Sequence, residues 1–211
     1  FRLARHIKRL DVVTVLDVGA NIGQFYFELK VAGFDGHVIS FEPLPDAHEQ
    51  LMSISSKEPN WRIYDRIALG STEEFTKINV ANNSASSSIR PQTELMKQNA
   101  PYANKVSQVD ITVTTLDKVM NSIPLSNCAL KIDTQGYELE VLKGSSKLLE
   151  RVKLVSLELS LVELYEGQAK YYHIDEYLRS HGFKLIDLYP GFKNFDTGEL
   201  FEYDAIYEKM N

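Results

Sequence analysis

The chain of 211 residues contains a single cysteine, Cys128. An internal disulfide therefore cannot form, and zinc sites built from several cysteines are excluded. Positive charge is also scarce, because 23 lysine and arginine residues face 29 aspartate and glutamate residues and leave a net charge of -6. This balance argues against nucleic acid as the main partner, since binding to phosphates calls for a basic surface.

Long hydrophobic runs are missing as well. A membrane-spanning helix needs about 20 apolar residues in a row, whereas stretches such as 12–18 and 154–159 have only the length of a strand. We therefore expect no transmembrane segment and, without disulfides, a cytoplasmic protein. The chain starts at Phe1, so we expect the native N-terminus to lie upstream. Residues 1–11 predict a basic amphipathic helix packed on the sheet edge, with a membrane surface as the alternative.

The content of 44% hydrophobic and 25% charged residues is ordinary for one globular domain, which we expect to cover residues 1–211. Apolar runs of strand length alternate with helical patterns in the first third of the chain. This alternation predicts a parallel sheet with right-handed crossovers. The predicted elements are strands at 12–18, 37–41 and 61–68 and helices at 22–32 and 46–57.

The middle of the chain interrupts this alternation. Residues 71–115 predict an insertion, with a β-hairpin of strands 75–80 and 109–114 around a serine-rich loop and a short helix at 93–99. A polar stretch of this length is usually functional or disordered. The alternation then resumes, and the last two strands should pair antiparallel because no helix separates them. The remaining predicted elements are strands at 129–133, 154–159, 184–188 and 201–207 and helices at 137–149 and 174–181.

The strongest local motif is VLDVGANIGQF at residues 15–25. Its Asp17, Gly19 and Gly23 stand where a predicted strand meets a helix, and small residues there let the backbone turn sharply and approach a ligand. The N-terminus of that helix offers free N–H groups. The next strand ends at Glu42, where an acidic side chain binds the hydroxyls of an adenosine ribose. The motif therefore predicts a nucleotide-type site.

The glycine spacing narrows the choice of ligand. The dinucleotide pattern G-x-G-x-x-G fails after Gly19, because Asn21 and Gln24 occupy the next two glycine positions. The pattern D-x-G-x-x-x-G fits Asp17, Gly19 and Gly23 and resembles the first motif of Rossmann-like S-adenosylmethionine methyltransferases. An acidic Asp17 suits the ammonium group of a methionine moiety. An NAD-dependent oxidoreductase and a binding module without turnover stay open as alternatives.

Further motifs make the resemblance specific. They are LDVGANIGQF (16–25), SFEPLP (40–45), IALG (67–70), NSASSSI (83–89), TVTTLD (112–117), LKIDTQGYELEVLKG (130–144), SLELSLVELYEGQ (156–168) and EYDAIY (202–207). With these motifs, the sequence from Val15 to about Tyr207 resembles the FkbM-type methyltransferases. The resemblance implies a Rossmann-like class I methyltransferase fold of the α/β class, with a mostly parallel seven-stranded sheet, an antiparallel C-terminal strand and a β-hairpin insertion. It also implies S-adenosylmethionine as donor and a hydroxyl acceptor, often on a sugar of a polysaccharide, glycolipid or natural product.

The resemblance also implies roles for individual residues on the donor side. The loop under the methionine part would be shaped by Gly19, Ala20, Asn21 and Gly23. The ribose hydroxyls would be held by Glu42. The adenine would lie beside Ala68 and its two neighbours in the run 67–69, with Asp65 close to the adenine amino group.

Methyl transfer to a hydroxyl needs a base or a metal, because an alkyl hydroxyl is a poor nucleophile. The candidates are the carboxylates of Asp133 and Glu158, at the ends of adjacent strands, and the imidazole of His173. Asp133 and Glu158 are also candidate magnesium ligands, although no third ligand is evident. Alternatively, either carboxylate forms a structural pair with Lys131. The serine cluster 84–88 is expected to act as a lid over a small-molecule or glycan acceptor, and the oligomeric state stays open.

Overall fold

Two β-sheets organise the fold in the computed structural model, which describes residues 2–121, 123 and 125–210. The strands are β1 (Thr14–Val18), β2 (His37–Phe41), β3 (Trp61–Ile63), β4 (Ala68–Leu69), β5 (Glu74–Ala81), β6 (Lys105–Thr114), β7 (Cys128–Ile132), β8 (Val152–Ser160), β9 (Phe183–Pro190) and β10 (Glu202–Lys209). The helices are α1 (Arg2–Arg9), α2 (Gln24–Val31), α3 (Pro45–Ser55), α4 (Glu94–Asn99), α5 (Leu116–Met120), α6 (Glu138–Lys143) and α7 (Tyr171–Ser180).

The larger sheet has seven strands in the order β3-β2-β1-β7-β8-β10-β9. The first five run parallel, and β10 lies antiparallel to both β8 and β9. The short connection between β9 and β10 leaves no room for a helical crossover, which forces them to pair antiparallel. The predicted α/β fold with an antiparallel C-terminal strand is therefore confirmed.

Helices cover both faces of this sheet. All five residues of β1 are buried, as expected for a strand with helices on both sides. Val15 contributes to a core shared with α1, α2 and α3. Leu16 points the other way and joins a core shared with α5, α6 and α7. This alternation leaves the carboxyl ends of the parallel strands open, which is where ligands bind in such sheets.

The smaller sheet, in the order β4-β6-β5, contains the predicted hairpin of β5 and β6. It also corrects the predicted third strand at 61–68, which is split between the two sheets. The pairing of β3 with β2 ends at Ile63 opposite Ser40, because β2 itself stops before Glu42 and Pro43. The chain then turns away, and Ala68 and Leu69 pair with β6 as β4.

The predicted helix at 137–149 is also shorter than expected. The helix α6 ends before Gly144, where a Cβ atom would lie 1.9 Å from the carbonyl oxygen of Gly70. The next turn is a separate 3-10 helix, Leu148–Glu150. Asp117 caps this turn by accepting hydrogen bonds from the backbone N–H groups of Lys147 (3.0 Å) and Leu148 (2.8 Å). The close approach of the backbone at Gly144 to that at Gly70 thus ends α6 early.

The N-terminal helix α1 was predicted to pack on the sheet edge, but it packs on a face of the large sheet. Phe1 lies outside the described residues. Leu3 and Ile7 are buried against the large sheet. Arg2 forms an ion pair with Asp187 on β9 at 2.9 Å, and Arg9 forms one with Glu208 on β10 at 2.7 Å. Within the part of the chain that the structure describes, no helix has the length and apolar character needed to cross a membrane.

Candidate active site

A cavity of about 480 Å³ opens at the carboxyl ends of β1, β2, β7 and β8. Its walls come from the β1–α2 loop, the end of β2, the strand β4, the serine loop and the ends of β7 and β8. Tyr189 on β9 and Asp204 on β10 extend it along the sheet. The sequence-predicted site residues that line it are Gly19, Ala20, Asn21, Glu42, Ala68, Asp133 and Glu158.

The β1–α2 loop is held between two strands. The backbone N–H groups of Gly19 and Ala20 both donate to the carbonyl of Phe41 at 3.1 Å. Gly19 has φ +78°, and a Cβ atom there would lie 1.9 Å from the carbonyl oxygen of Asp133. Only glycine tolerates this backbone conformation and this approach together. The loop therefore forms a close-fitting floor for a ligand.

Glu42 lies beside this loop with 4% of its surface exposed. One carboxylate oxygen accepts the backbone N–H of Asn21 at 2.7 Å, and the other accepts that of Leu44 at 2.8 Å. Burial raises the pKa of Glu42 to about 7, against the opposing effect of these two hydrogen bonds. Each carboxylate oxygen offers a second lone pair. The side chain can thus hold the loop and accept ligand hydroxyls at the same time.

Asp17 lies beneath the loop and is sealed from the cavity. It is fully buried, accepts a hydrogen bond from the Ser40 hydroxyl at 3.0 Å and lies 3.1 Å from Lys131 Nζ. The same Nζ donates to the Gly19 carbonyl at 3.2 Å and lies 3.5 Å from Asp133. Although burial opposes the charged form, the carboxylates of Asp17 and Asp133 raise the pKa of Lys131. Asp17 therefore acts on the loop through Lys131.

The two predicted catalytic carboxylates lie together at the far side of the cavity. The side-chain amide of Gln135 donates to Asp133 Oδ1 and to Glu158 Oε2, each at 3.0 Å. Asp204 is paired with Glu158 across β8 and β10. Burial, and then repulsion from Asp133, raises the pKa of Glu158 well above its ordinary value. Burial likewise raises the pKa of Asp204 to about 6.

The serine-rich segment bridges the two sides of the cavity. The Ser84 hydroxyl donates to the side-chain oxygen of Asn21 at 2.9 Å, on the donor loop. The Ser88 hydroxyl donates to the carbonyl of Gln135 at 2.6 Å, beside the carboxylates. Ser84, Ala85 and Ser87 line the cavity. Their position is the one expected of a lid.

Several predicted site residues lie outside the cavity lining. Gly23 packs on Trp61, where a Cβ atom would lie 2.4 Å from the indole ring. Asp65 is exposed between β3 and β4, and His173 is exposed in the first turn of α7. With Asp17 beneath the loop, these residues form a second set that the structure does not bring to the cavity.

The described residues contain no group of three or more His, Cys, Asp or Glu side chains arranged to hold a metal ion. Asp133 and Glu158, the candidate magnesium ligands, both accept hydrogen bonds from the amide of Gln135.

Sequence reasoning missed Gln135 and Asp204 as site residues. Gln135 stands only two residues after Asp133, but its positive φ of 55° turns the side chain back onto that carboxylate. No local pattern announces this conformation in a glutamine. The antiparallel pairing of the last strand was predicted, whereas its register, which sets Asp204 opposite Glu158, was not.

Solved structures of methyltransferases share the fold of this protein. Magnesium protoporphyrin IX methyltransferase from Synechocystis PCC 6803, with its methyl donor bound, is 13% identical, with a TM-score of 0.52 over 99% of this chain and 76% of that chain. An rRNA methylase from Streptococcus thermophilus is 12% identical, with a TM-score of 0.51 over 100% of this chain and 95% of that chain. At these identities the likeness shows the fold alone.

The sequence places the protein more narrowly. The methyltransferase FkbM domain matches residues 17–185, so the chain belongs to the FkbM methyltransferase family. Hexuronic acid methyltransferase AglP of Haloferax volcanii is 28% identical over 145 residues, which are 68% of this chain and 54% of that protein. The chain thus spans about half the length of this curated relative. The family and the methyltransferase domain predicted from the motifs are confirmed.

Proposed function

We propose that this protein transfers a methyl group from S-adenosylmethionine to a hydroxyl of a sugar or a similar hydroxyl-bearing acceptor. The observation that carries the proposal is Glu42, a buried carboxylate at the end of β2 that faces the cavity and binds the loop of Gly19 and Asn21. A carboxylate in this place suits a ribose with two hydroxyls. Membership of the FkbM family supports the same donor.

The residues present fit this donor. The floor at Gly19 has no room for a side chain, Glu42 supplies hydroxyl acceptors, and Ile67, Ala68 and Leu69 add an apolar wall suited to a purine ring. Asp133, with 37% of its side chain exposed, offers a carboxylate next to the Gly19 loop for a positively charged group. Bound there, S-adenosylmethionine would supply an activated methyl group on a sulfonium.

Asp133 and Glu158 then have the task of removing the proton of the acceptor hydroxyl. An ionised carboxylate oxygen of this pair would accept the hydroxyl proton as the methyl group passes from the sulfur of the donor to the hydroxyl oxygen. Burial and the neighbouring Asp133 raise the pKa of Glu158, which makes its carboxylate a stronger base near neutral pH. His173, exposed on α7, would have to act from outside the cavity lining.

A sugar acceptor is supported by the relative from Haloferax volcanii, which is named for a hexuronic acid. The acceptor side of the cavity adds chemical support, because carboxylates and serine hydroxyls there match the hydroxyl groups of a sugar. Asp133, Glu158 and Asp204 would accept hydrogen bonds from hydroxyls. The Ser84 hydroxyl sits at the rim.

Calorimetric titration with S-adenosylmethionine, S-adenosylhomocysteine and NAD tests the donor. We expect micromolar binding of the two sulfur ligands and none of NAD. Glu42→Gln should weaken donor binding about 10-fold or more, because a hydrogen bond to a charged group contributes about 1.5–3 kcal/mol. The matched control is Glu49→Gln, an exposed glutamate on α3. Binding of NAD alone would instead support an oxidoreductase.

Turnover is tested by release of S-adenosylhomocysteine with a panel of methyl glycosides of glucuronic acid, glucose and galactose, each with and without magnesium. Methylation of any of these sugars supports the proposed acceptor class. Donor binding without methylation of any acceptor in such a panel would favour a module that binds the donor without turnover.

A further inference from the structure

Gln135 connects the two carboxylates that face the acceptor side of the cavity. Its Nε2 atom lies 3.0 Å from Asp133 Oδ1 and 3.0 Å from Glu158 Oε2. A side-chain amide carries two N–H donors, and ionised carboxylates only accept. One N–H group is therefore directed to each carboxylate, which satisfies both with a single side chain.

The two carboxylates determine which end of the amide faces them, and Tyr165 contacts the other end. Its ring is fully buried, and burial raises its pKa, so the phenol keeps its proton. The hydroxyl lies 2.8 Å from Gln135 Oε1 and 3.2 Å from the carbonyl of Ser86. A donor at Oε1 leaves Nε2 to point at Asp133 and Glu158. With the amide reversed, Oε1 would face two carboxylates and repel them.

The backbone at Gln135 is held as tightly as its side chain. Its φ of +55° lies in the left-handed region, which side chains other than those of asparagine and aspartate seldom occupy. The Ser88 hydroxyl donates to its carbonyl at 2.6 Å. The next residue, Gly136, approaches Tyr165 so closely that a Cβ atom would lie 2.9 Å from it. Glycine would suit position 135 better by backbone alone, so the side chain must account for the glutamine.

Charge explains why such a donor is useful here. Glu158 faces Asp133 at the end of β7, Glu202 and Asp204 on β10 and Glu138 on α6. A nearby cation, Lys131, is shared between Asp17, Asp133 and the Gly19 carbonyl. A neutral amide that donates to both carboxylates favours their ionised forms without adding another charge.

We propose that Gln135 is a positioning residue that holds the carboxyl groups of Asp133 and Glu158 together as a pair facing the cavity, with the Tyr165 hydroxyl supporting the direction of its amide. The role of this pair as the base in methyl transfer rests on the proposed function. Its structural part, the amide clamp between the carboxylates, can be tested without any acceptor.

Carbon-13 NMR titration of the side-chain carboxyl groups in the full chain tests the clamp. Gln135→Gly removes the side chain at a backbone conformation that glycine adopts freely, so the loop is retained. We expect the pKa of Glu158 to rise further, because its carboxylate loses a hydrogen bond that favours the charged form. Tyr165→Phe should raise the pKa of Glu158 by less. Glu42 accepts hydrogen bonds from other groups, the backbone N–H of Asn21 and of Leu44. It is the internal control, and its pKa should stay unchanged.

Turnover tests the catalytic part of the inference. With an accepted methyl glycoside, Gln135→Gly should lower kcat about 10- to 100-fold, leave the KM for S-adenosylmethionine within about twofold, and move the acid limb of the kcat profile up by about one pH unit. A lower kcat with an unmoved limb would reduce Gln135 to a structural residue and overturn the proposal. Unchanged carboxyl pKa values would overturn the clamp itself. Failure of the wild-type protein to bind S-adenosylmethionine would overturn the proposed function, and the NMR titration would still decide the clamp.

Discussion

The donor side and the acceptor side of the cavity are built in different ways. Most of the donor side lies within residues 17–44, and residues 67–69 add its apolar wall. Its contacts run mostly through backbone groups such as the N–H of Asn21 and of Leu44. The acceptor side gathers side chains from segments far apart in the chain, including Ser88, Gln135 and Tyr165. A site made from one continuous stretch can be found from spacing, whereas a site made from distant segments depends on register and on individual conformations.

The two sides also differ in charge. The donor side presents one buried carboxylate, Glu42, whose oxygens both accept backbone N–H groups. The acceptor side brings Asp133, Glu158 and Asp204 together with one shared lysine, Lys131. The first arrangement is suited to recognition of a fixed ligand. The second is suited to taking up a proton, because repulsion among carboxylates raises their affinity for it.

The largest effect is expected from a methyl group on the donor floor. Gly19 has a φ of +78°, and in Gly19→Ala the new Cβ atom would lie 1.9 Å from the carbonyl oxygen of Asp133. Either the β1–α2 loop or the chain at the end of β7 must therefore shift. We expect donor affinity to fall more than about 100-fold and the free energy of unfolding to fall by about 2–4 kcal/mol, measured by calorimetry and urea denaturation.

Gly33→Ala is the matched control for this change. Its φ is +83°, close to that of Gly19, but nothing lies within 4 Å of the new Cβ atom. It should lose only about 1–2 kcal/mol from the left-handed backbone and keep its donor affinity. Equal loss of affinity in both variants would contradict the close-fit account of the floor.

Asp133→Asn should affect the acceptor side more than the donor side, which is the reverse of Gly19→Ala. Removing this carboxylate should lower kcat about 100-fold or more, as expected for loss of a general base. Donor affinity should fall by a smaller factor, because the contact of Asp133 with the charged group of the donor is lost but Glu42 and the Gly19 loop are retained. Parallel measurement of kcat and donor Kd checks this. His173→Ala is the control, because its ring is exposed on α7 outside the cavity lining and turnover should stay unchanged. A larger loss in His173→Ala would return the role of base to the histidine.

The same contrast explains how much the sequence could predict. The parallel sheet, the donor loop and Glu42 follow from local patterns, because hydrophobic periodicity and glycine spacing act over a few residues. The split between β3 and β4 was missed because it depends on where the partner strand β2 ends. Gln135 was missed because its positive φ is set by Ser88 and Tyr165, which contact it from distant segments.

Stability should depend on pH mainly through buried carboxyl groups. Burial raises the pKa of Glu42 and of Glu202 to about 7 and that of Asp204 to about 6. The folded protein holds these protons to higher pH than the unfolded chain does, so the free energy of unfolding falls as pH rises from about 4.5 to 7. Urea denaturation between pH 5 and 8 should reveal a fall of a few kcal/mol.

Glu202→Gln should flatten this dependence by about 2 kcal/mol, because it removes one of the titrating carboxyl groups. The hydrogen bond is kept, since a glutamine oxygen can still accept the Ser160 hydroxyl that Glu202 now accepts at 2.7 Å. Glu199→Gln, on the exposed turn before β10, is the control and should leave the slope as it is. A pH dependence equally steep in Glu202→Gln and in the wild type would mean that this carboxyl titrates normally.

The smallest effect is expected where the serine segment meets the donor loop. Ser84→Ala removes the hydroxyl that donates to Asn21 Oδ1 at 2.9 Å, a contact worth about 0.5–1.5 kcal/mol as an ordinary hydrogen bond. We expect donor affinity to fall about 2- to 10-fold in calorimetry, with kcat less affected. Ser86→Ala is the control, because Ser86 contributes its carbonyl, not its hydroxyl, to the contact with Tyr165. If both variants weaken donor binding alike, the segment closes the cavity by shape alone, and the contact at Asn21 does not link it to the donor loop.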